Sequence, residues 1–145
     1  MIDITNVEQA KMLIKAEKEK PIIVQAQNNE FNRKILEYGK FQILISPEAI
    51  KGQRTLRTIE SGLNHVLAEI ATKNKIAIGI DLEELRNLGK EEKAKRLERI
   101  RQNLNICRKA KTKVILLNYK DKRDAFAFLL SLGASTKQAK EALDF

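Results

Sequence analysis

The sequence predicts an α/β protein built from strand–helix units around a parallel sheet. Three observations carry this expectation. Four short apolar runs, at 22–26, 41–46, 75–81 and 114–118, are rich in Ile, Leu and Val and barely alternate with polar residues, as in strands buried on both faces. Helical periodicity fills the stretches between them, and strands that alternate with helices pair in parallel through right-handed crossovers. The 145 residues form one domain, 1–145, without linker or repeat, and fall short of the ~250 residues of a closed eight-stranded barrel. Part of a barrel, or an open sheet, is what the length allows.

The elements follow in order. Asn6 is placed to cap a first helix, with Ala10, Leu13 and Ile14 at helical spacing and a solvated Lys/Glu end at 15–20. Pro21 opens the first strand. Asn28 caps a second helix to about Tyr38, closed by Gly39 where a left-handed residue belongs. The second strand, 41–46, is stopped by Pro47. The basic stretch 48–60, with Lys51, Gly52, Arg54 and Arg57, reads as a loop or loose helical turn. A helix over 62–73 presents Leu63, Val66, Leu67 and Ile70 on one face, and 75–81 is the third strand. The longest helix, 90–109, carries a narrow apolar stripe of Ala94, Leu97, Ile100, Leu104 and Cys107. The fourth strand, 114–118, precedes helices at 122–132 and 136–143, separated by Gly133.

Composition narrows the partners. A hydrophobic share of 43% beside 32% charged residues marks a globular chain, and 5% aromatics without Trp leave the core to aliphatic residues. Lys and Arg number 28 against 19 Asp and Glu, a net charge of +9. A pI near 9.7 points to a polyanionic partner, because each neutralised phosphate releases a condensed counterion. The plainer reading is a basic surface that aids solubility. One cysteine, Cys107, cannot make an internal disulfide, which fits a reducing compartment. No apolar run reaches the ~18 residues of a membrane span, and the first residues show no leader pattern, so a cytoplasmic location is expected.

Signatures of catalysis are sparse. No glycine-rich phosphate loop is present, and the six glycines are scattered. His65 is the only histidine, too few for a dinuclear metal site. It would also have to be the base for any Ser or Cys nucleophile. Glu48, Asp81, Glu83 and Glu84 lie near strand C-termini. Asp81 stands where α/β enzymes place catalytic groups, yet it also suits an N-cap for the following turn. His65 reads as a packed or capping helix residue and Cys107 as a small core residue.

The cations are more informative. Residues 90–113 hold ten positive groups against Glu91, Glu92 and Glu98, leaving +7. Lys93, Arg96 and Arg99 are three apart on one helix, and Arg108, Lys109, Lys111 and Lys113 form the turn after it. Lys120, Lys122 and Arg123 follow the fourth strand, and Arg54 and Arg57 lie in the basic loop. These twelve residues are the candidate RNA contacts. Excess like charge costs stability, so a neutralising partner explains it better than solvation alone. No aromatic platform accompanies them, which favours contacts to phosphates and RNA shape over base stacking.

Three stretches resemble the archaeal ribonuclease P protein component 3 family. They are Ser61-Gly62-Leu63-Asn64-His65-Val66-Leu67-Ala68-Glu69-Ile70-Ala71, then Lys75-Ile76-Ala77-Ile78-Gly79-Ile80, and Phe126-Ala127-Phe128-Leu129-Leu130-Ser131-Leu132-Gly133. Asn32-Arg33 and Ile43-Leu44-Ile45 near Pro47 are similar to the family's earlier strand region. The resemblance spans roughly 21–143, and its Gly-Leu-Asn-His-Val-Leu stretch is the most specific part. It implies a PHP-like, TIM-barrel-related fold, here incomplete, because the chain is shorter than typical members and lacks their opening strand-and-helix units. It implies a subunit of ribonuclease P, which removes the 5′ leader of precursor tRNA. Mg²⁺-dependent cleavage then belongs to the ribonuclease P RNA, no cofactor is held by the protein, and a Pop5-type subunit is its protein partner. Two alternatives stand beside it. One is a small PHP-type metal-dependent phosphoesterase using Asp81 and His65. The other is a general RNA-binding or ribosome-associated module.

Overall fold

The structure, a computed structural model, describes residues 1–49 and 61–144. Within them, four strands form one sheet: β1 (Ile23–Gln25), β2 (Ile43–Ile45), β3 (Ala77–Asp81) and β4 (Val114–Leu117). Seven helices accompany them among the described residues: α1 (Val7–Ala16), α2 (Asn29–Tyr38), α3 (His65–Lys73), α4 (Leu82–Arg86), α5 (Lys90–Ala110), α6 (Lys122–Ser131) and α7 (Thr136–Leu143). All neighbouring strands are parallel, and the sheet order is the chain order, β1-β2-β3-β4. Ile2 extends the β1 edge. Its N–H donates to the Ile23 carbonyl at 2.9 Å, and its carbonyl accepts from Gln25 N–H at 2.8 Å.

Consecutive order without reversal winds the chain in one direction, as in a barrel wall. The two sheet faces agree with this. Val24, Leu44, Ile78, Ile80, Val114 and Leu116 join the main core with the helices, whereas Ile43, Ile45, Ala77 and Ile115 form a separate cluster built from strand residues. That second face is crowded. A Cβ on Gly79 would stand 2.8 Å from Ile43 Cγ2, so glycine lets β2 and β3 lean together. The architecture is an arc of an incomplete TIM-like barrel with helices on its outer side.

Local chemistry sets the helix starts. Asn6, Asn28, Asn64 and Asp121 each accept a backbone N–H two or three residues on, and Ser135 with Gln138 forms a capping box. Two expectations are corrected and one short helix is added. The third helix begins at His65 and not at 62, because Gly62 takes φ 80° and Asn64 supplies the cap. Asp81 starts a short helix, α4, too brief to show periodicity. The buried face of α5 is Arg96, Ile100, Asn103, Leu104 and Cys107, while Ala94 is exposed and Leu97 half-buried. Lys51, Gly52, Arg54 and Arg57 lie outside the described residues.

The stretch that carries the family resemblance has a structural role. Gly62 passes so close to the Pro47 carbonyl that a Cβ would collide with it. The Ser61 carbonyl accepts from buried Asn103 Nδ2 at 3.1 Å, and Asn64 Oδ1 accepts from Leu67 N–H at 2.9 Å. Together these contacts bring the chain onto α5 and launch α3.

Candidate nucleic-acid interface

A parallel sheet collects every strand N-terminus at one end and every C-terminus at the other. Turns entering strands therefore share one end of the molecule, and turns leaving strands share the opposite end. Among the described residues, the charges divide along this axis. The described turns leaving the strands, 25–30, 46–49, 81–86 and 118–124, hold seven carboxylates and four cations. The turns entering them, 15–22, 39–42, 73–76 and 108–113, hold ten cations and two carboxylates.

At the strand-exit end, side chains are tied to one another. Arg96 is 4% exposed, and its Nη2 donates to Glu48 Oε1 at 3.2 Å and Glu84 Oε1 at 3.0 Å. Ser46 Oγ donates to Glu84 Oε2 at 3.3 Å, and Arg99 Nη1 donates to the Glu48 carbonyl at 3.1 Å. Burial pushes the Glu48 carboxyl up to about 7 against the opposing pull of Arg96. Burial also works against the Arg96 charge, but Glu48 and Glu84 outweigh it and hold the guanidinium above its ordinary value. Arg96 is therefore corrected from an RNA contact to a buried strut: α5 turns that face onto the carboxylates after β2 and β3. Arg99 is half-buried and oriented the same way, and Lys93 reaches the Arg86 carbonyl at 3.5 Å. Lys120 and Arg123 are exposed, and Lys122 lies 3.7 Å from Asp144.

Asp81 acts as a cap. Its Oδ1 accepts from Glu83 N–H at 3.1 Å, Glu84 N–H at 3.3 Å and Asn118 Nδ2 at 2.9 Å. His65 is exposed, its Nε2 2.8 Å from Glu69 Oε1 on the next turn of α3. Cys107 is buried, and burial pushes its thiol up to about 12. Among the described residues, no three His, Cys, Asp or Glu side chains are placed to hold a metal ion together.

The strand-entry end is different. Lys15, Lys18, Lys20, Lys40, Lys73, Lys75, Arg108, Lys109, Lys111 and Lys113 are all exposed there. The side chains of Lys75, Lys109, Lys111 and Lys113 form no ion pair or hydrogen bond among the described residues. Lys40 Nζ sits 5.3 Å from the Tyr38 ring centre, and Arg108 donates to Asn105 Oδ1 at 2.9 Å and the Gly133 carbonyl at 3.3 Å. Lys40, Lys75 and Lys111 adopt φ of 62°, 58° and 60°, each in the turn between a helix and a strand. This left-handed backbone costs an ordinary L residue about 1–2 kcal/mol, and glycine or asparagine takes it more readily. The 21-residue α5 is about 30 Å long, so the basic run 90–113 is divided between opposite ends of the molecule. Charge counting along the sequence missed Lys20, Lys40 and Lys75, which lie far from Arg108–Lys113 in sequence and join it only through the topology.

No protein-family model matches the chain. Over 95 residues, 66% of its length, it is 30% identical to ribonuclease P protein component 3 of Methanocaldococcus jannaschii and 28% identical to that of Methanococcus vannielii. The match spans 38% of each relative, well under half of their length. In fold, 97% of the chain matches 62% of a chain from an archaeal ribonuclease P solved with mature tRNA, at a TM-score of 0.78 and 27% identity. Over these 95 residues the chain is similar to archaeal ribonuclease P protein component 3 proteins, and its incomplete barrel matches part of a chain of an archaeal ribonuclease P in fold.

Proposed function

We propose that the chain is a protein subunit of ribonuclease P, supporting RNA-catalysed removal of the 5′ leader from precursor tRNA. The observation that carries this reading is the joint likeness to component 3 proteins in sequence and to a chain of a tRNA-bound ribonuclease P in fold. The exposed, unpaired lysines at the strand-entry end supply the electrostatic surface such a role needs. The protein acts without a catalytic site of its own. Its best-placed carboxylates are engaged in structure, Asp81 as a cap and Glu48 and Glu84 on Arg96. Mg²⁺ chemistry belongs to the ribonuclease P RNA on this reading, and a Pop5-type subunit is the protein partner.

A phosphoesterase using Asp81 and His65 has less support. Asp81 Oδ1 already accepts three hydrogen bonds, and His65 is turned to Glu69. A cytoplasmic location fits the proposed role, and no described helix is long and apolar enough to cross a membrane. The test is reconstitution with the ribonuclease P RNA and a Pop5-type partner. Adding this chain should raise precursor tRNA cleavage at limiting Mg²⁺. Equal cleavage with and without it would overturn the proposal.

A further inference from the structure

We propose that the rim where the strands begin is a docking surface for the sugar–phosphate backbone of a folded RNA, with Lys40, Lys75 and Lys111 at its centre. This rests on the RNA-partner reading above and assigns that contact to one end of the sheet. Three observations point there.

The first is position. Residues 43 and 77 are paired, as are 78 and 114, so Lys75 and Lys111 stand at the same level of the ladder and Lys40 one residue further out. Neighbouring strands lie about 4.8 Å apart, so the sheet spaces these turns as a row, and Lys20 before β1 and Lys113 before β4 extend it. A nucleic acid strand carries one phosphate per few ångströms, so a row of cations at strand spacing meets successive phosphates.

The second is backbone conformation. Each of the three turns needs a left-handed residue, and each uses lysine where asparagine or glycine would fit with less strain. At the opposite end, the left-handed positions that leave β2 and β4 are Ser46 and Asn118. Cations near helix C-termini also stabilise the helices, and the test below separates that contribution from RNA binding.

The third is availability. Lys75, Lys109, Lys111 and Lys113 have no partner among the described residues. The apolar residues directly before the strands, Ile22, Phe41 and Ile76, are buried, so the strand entries themselves present no hydrophobic side chain to insert into a lipid surface. RNA therefore suits the rim better than a membrane does.

The test compares two variants of the full chain that lose equal charge. One is Lys40→Asn/Lys75→Asn/Lys111→Asn, which suits the left-handed backbone. The other is Lys11→Gln/Arg33→Gln/Lys34→Gln, which strips ion-paired cations from α1 and α2. Binding to an archaeal ribonuclease P RNA transcript, to an unrelated folded RNA and to anionic phosphatidylserine vesicles is measured across a salt series. The rim variant should keep or raise the melting temperature, bind ribonuclease P RNA at least about tenfold more weakly and lose about two units of salt slope. The helix variant should change affinity less than about threefold. Equal losses in the two variants, a fully retained slope in the rim variant, or vesicle binding that outweighs RNA binding would overturn the proposal. A rim variant with unchanged RNA affinity, beside a wild-type chain that still stimulates cleavage, would sink the rim alone. A rim-dependent loss that is the same on both RNAs, with no stimulation of cleavage, would sink the ribonuclease P reading and leave the rim.

Discussion

At the strand-entry end, lysines stand exposed in left-handed turns without a carboxylate beside them; at the strand-exit end, Arg96 and Arg99 are drawn inward onto Glu48 and Glu84. Cationic side chains face solution at one end and the protein interior at the other. Topology makes the difference. Helix α5 follows α4 and brings its second and third turns, with Arg96 and Arg99, over Glu48 after β2 and Glu84 after β3, so arginine there becomes a strut. At the other end, each turn is short and the chain goes straight into a strand, so lysine is left facing water.

The sharpest way to break the comparison is to remove the strut. Arg96→Met leaves Glu48 buried beside an apolar group, and loss of one partner of a buried pair costs about 3–5 kcal/mol. Denaturant unfolding should show this loss, and adding Glu48→Gln should restore part of it. A change under about 1 kcal/mol would mean that the buried network does not hold this end.

Next is the turn that delivers the chain to α5. Gly62→Ala combines a left-handed residue with a collision at the Pro47 carbonyl, and about 2–3 kcal/mol should be lost. A near-neutral result would show that the loop relaxes freely. The pH response comes third. Burial raises Glu48 from its ordinary 4.5 to about 7. Its contribution to stability is therefore fully present below about pH 4.5 and declines as pH rises through about 7. Glu48→Gln should flatten that part of the stability–pH curve, and an unchanged curve would contradict the assignment.

Smaller effects separate structure from chemistry within the motif that carries the family resemblance. Asn64→Ala removes the α3 cap and should cost about 1 kcal/mol. His65→Ala breaks an exposed pair and should cost less than about 0.5 kcal/mol without affecting precursor tRNA cleavage in a reconstituted enzyme. A large loss of cleavage there would return His65 to a chemical role.

Much of the fold was legible because periodicity and caps agree. Asn6, Asn28, Gly39 and Pro47 mark element ends, and all four apolar runs became strands. Arg96 is not legible as a strut because an arginine within a basic helical run looks solvated, and its partner Glu48 is 48 residues away. One local sign was present: Arg96 lies four residues before Ile100, on the row that continues through Asn103, Leu104 and Cys107. The strand-entry rim was hidden for a different reason. Lys20, Lys40 and Lys75 are 20 and 35 residues apart, and only parallel pairing brings their turns to one edge.

Lysine reactivity tests RNA contact at the strand-entry rim most directly. The chain would be acetylated at low reagent excess, alone and when bound to ribonuclease P RNA, and each lysine's modification read by mass spectrometry. RNA contact at that rim predicts strong protection at Lys40, Lys75, Lys111 and Lys113, with Lys11, Lys34 and Lys90 unchanged. Protection concentrated at Lys90, Lys120 and Lys122, with the strand-entry lysines still reactive, would contradict it.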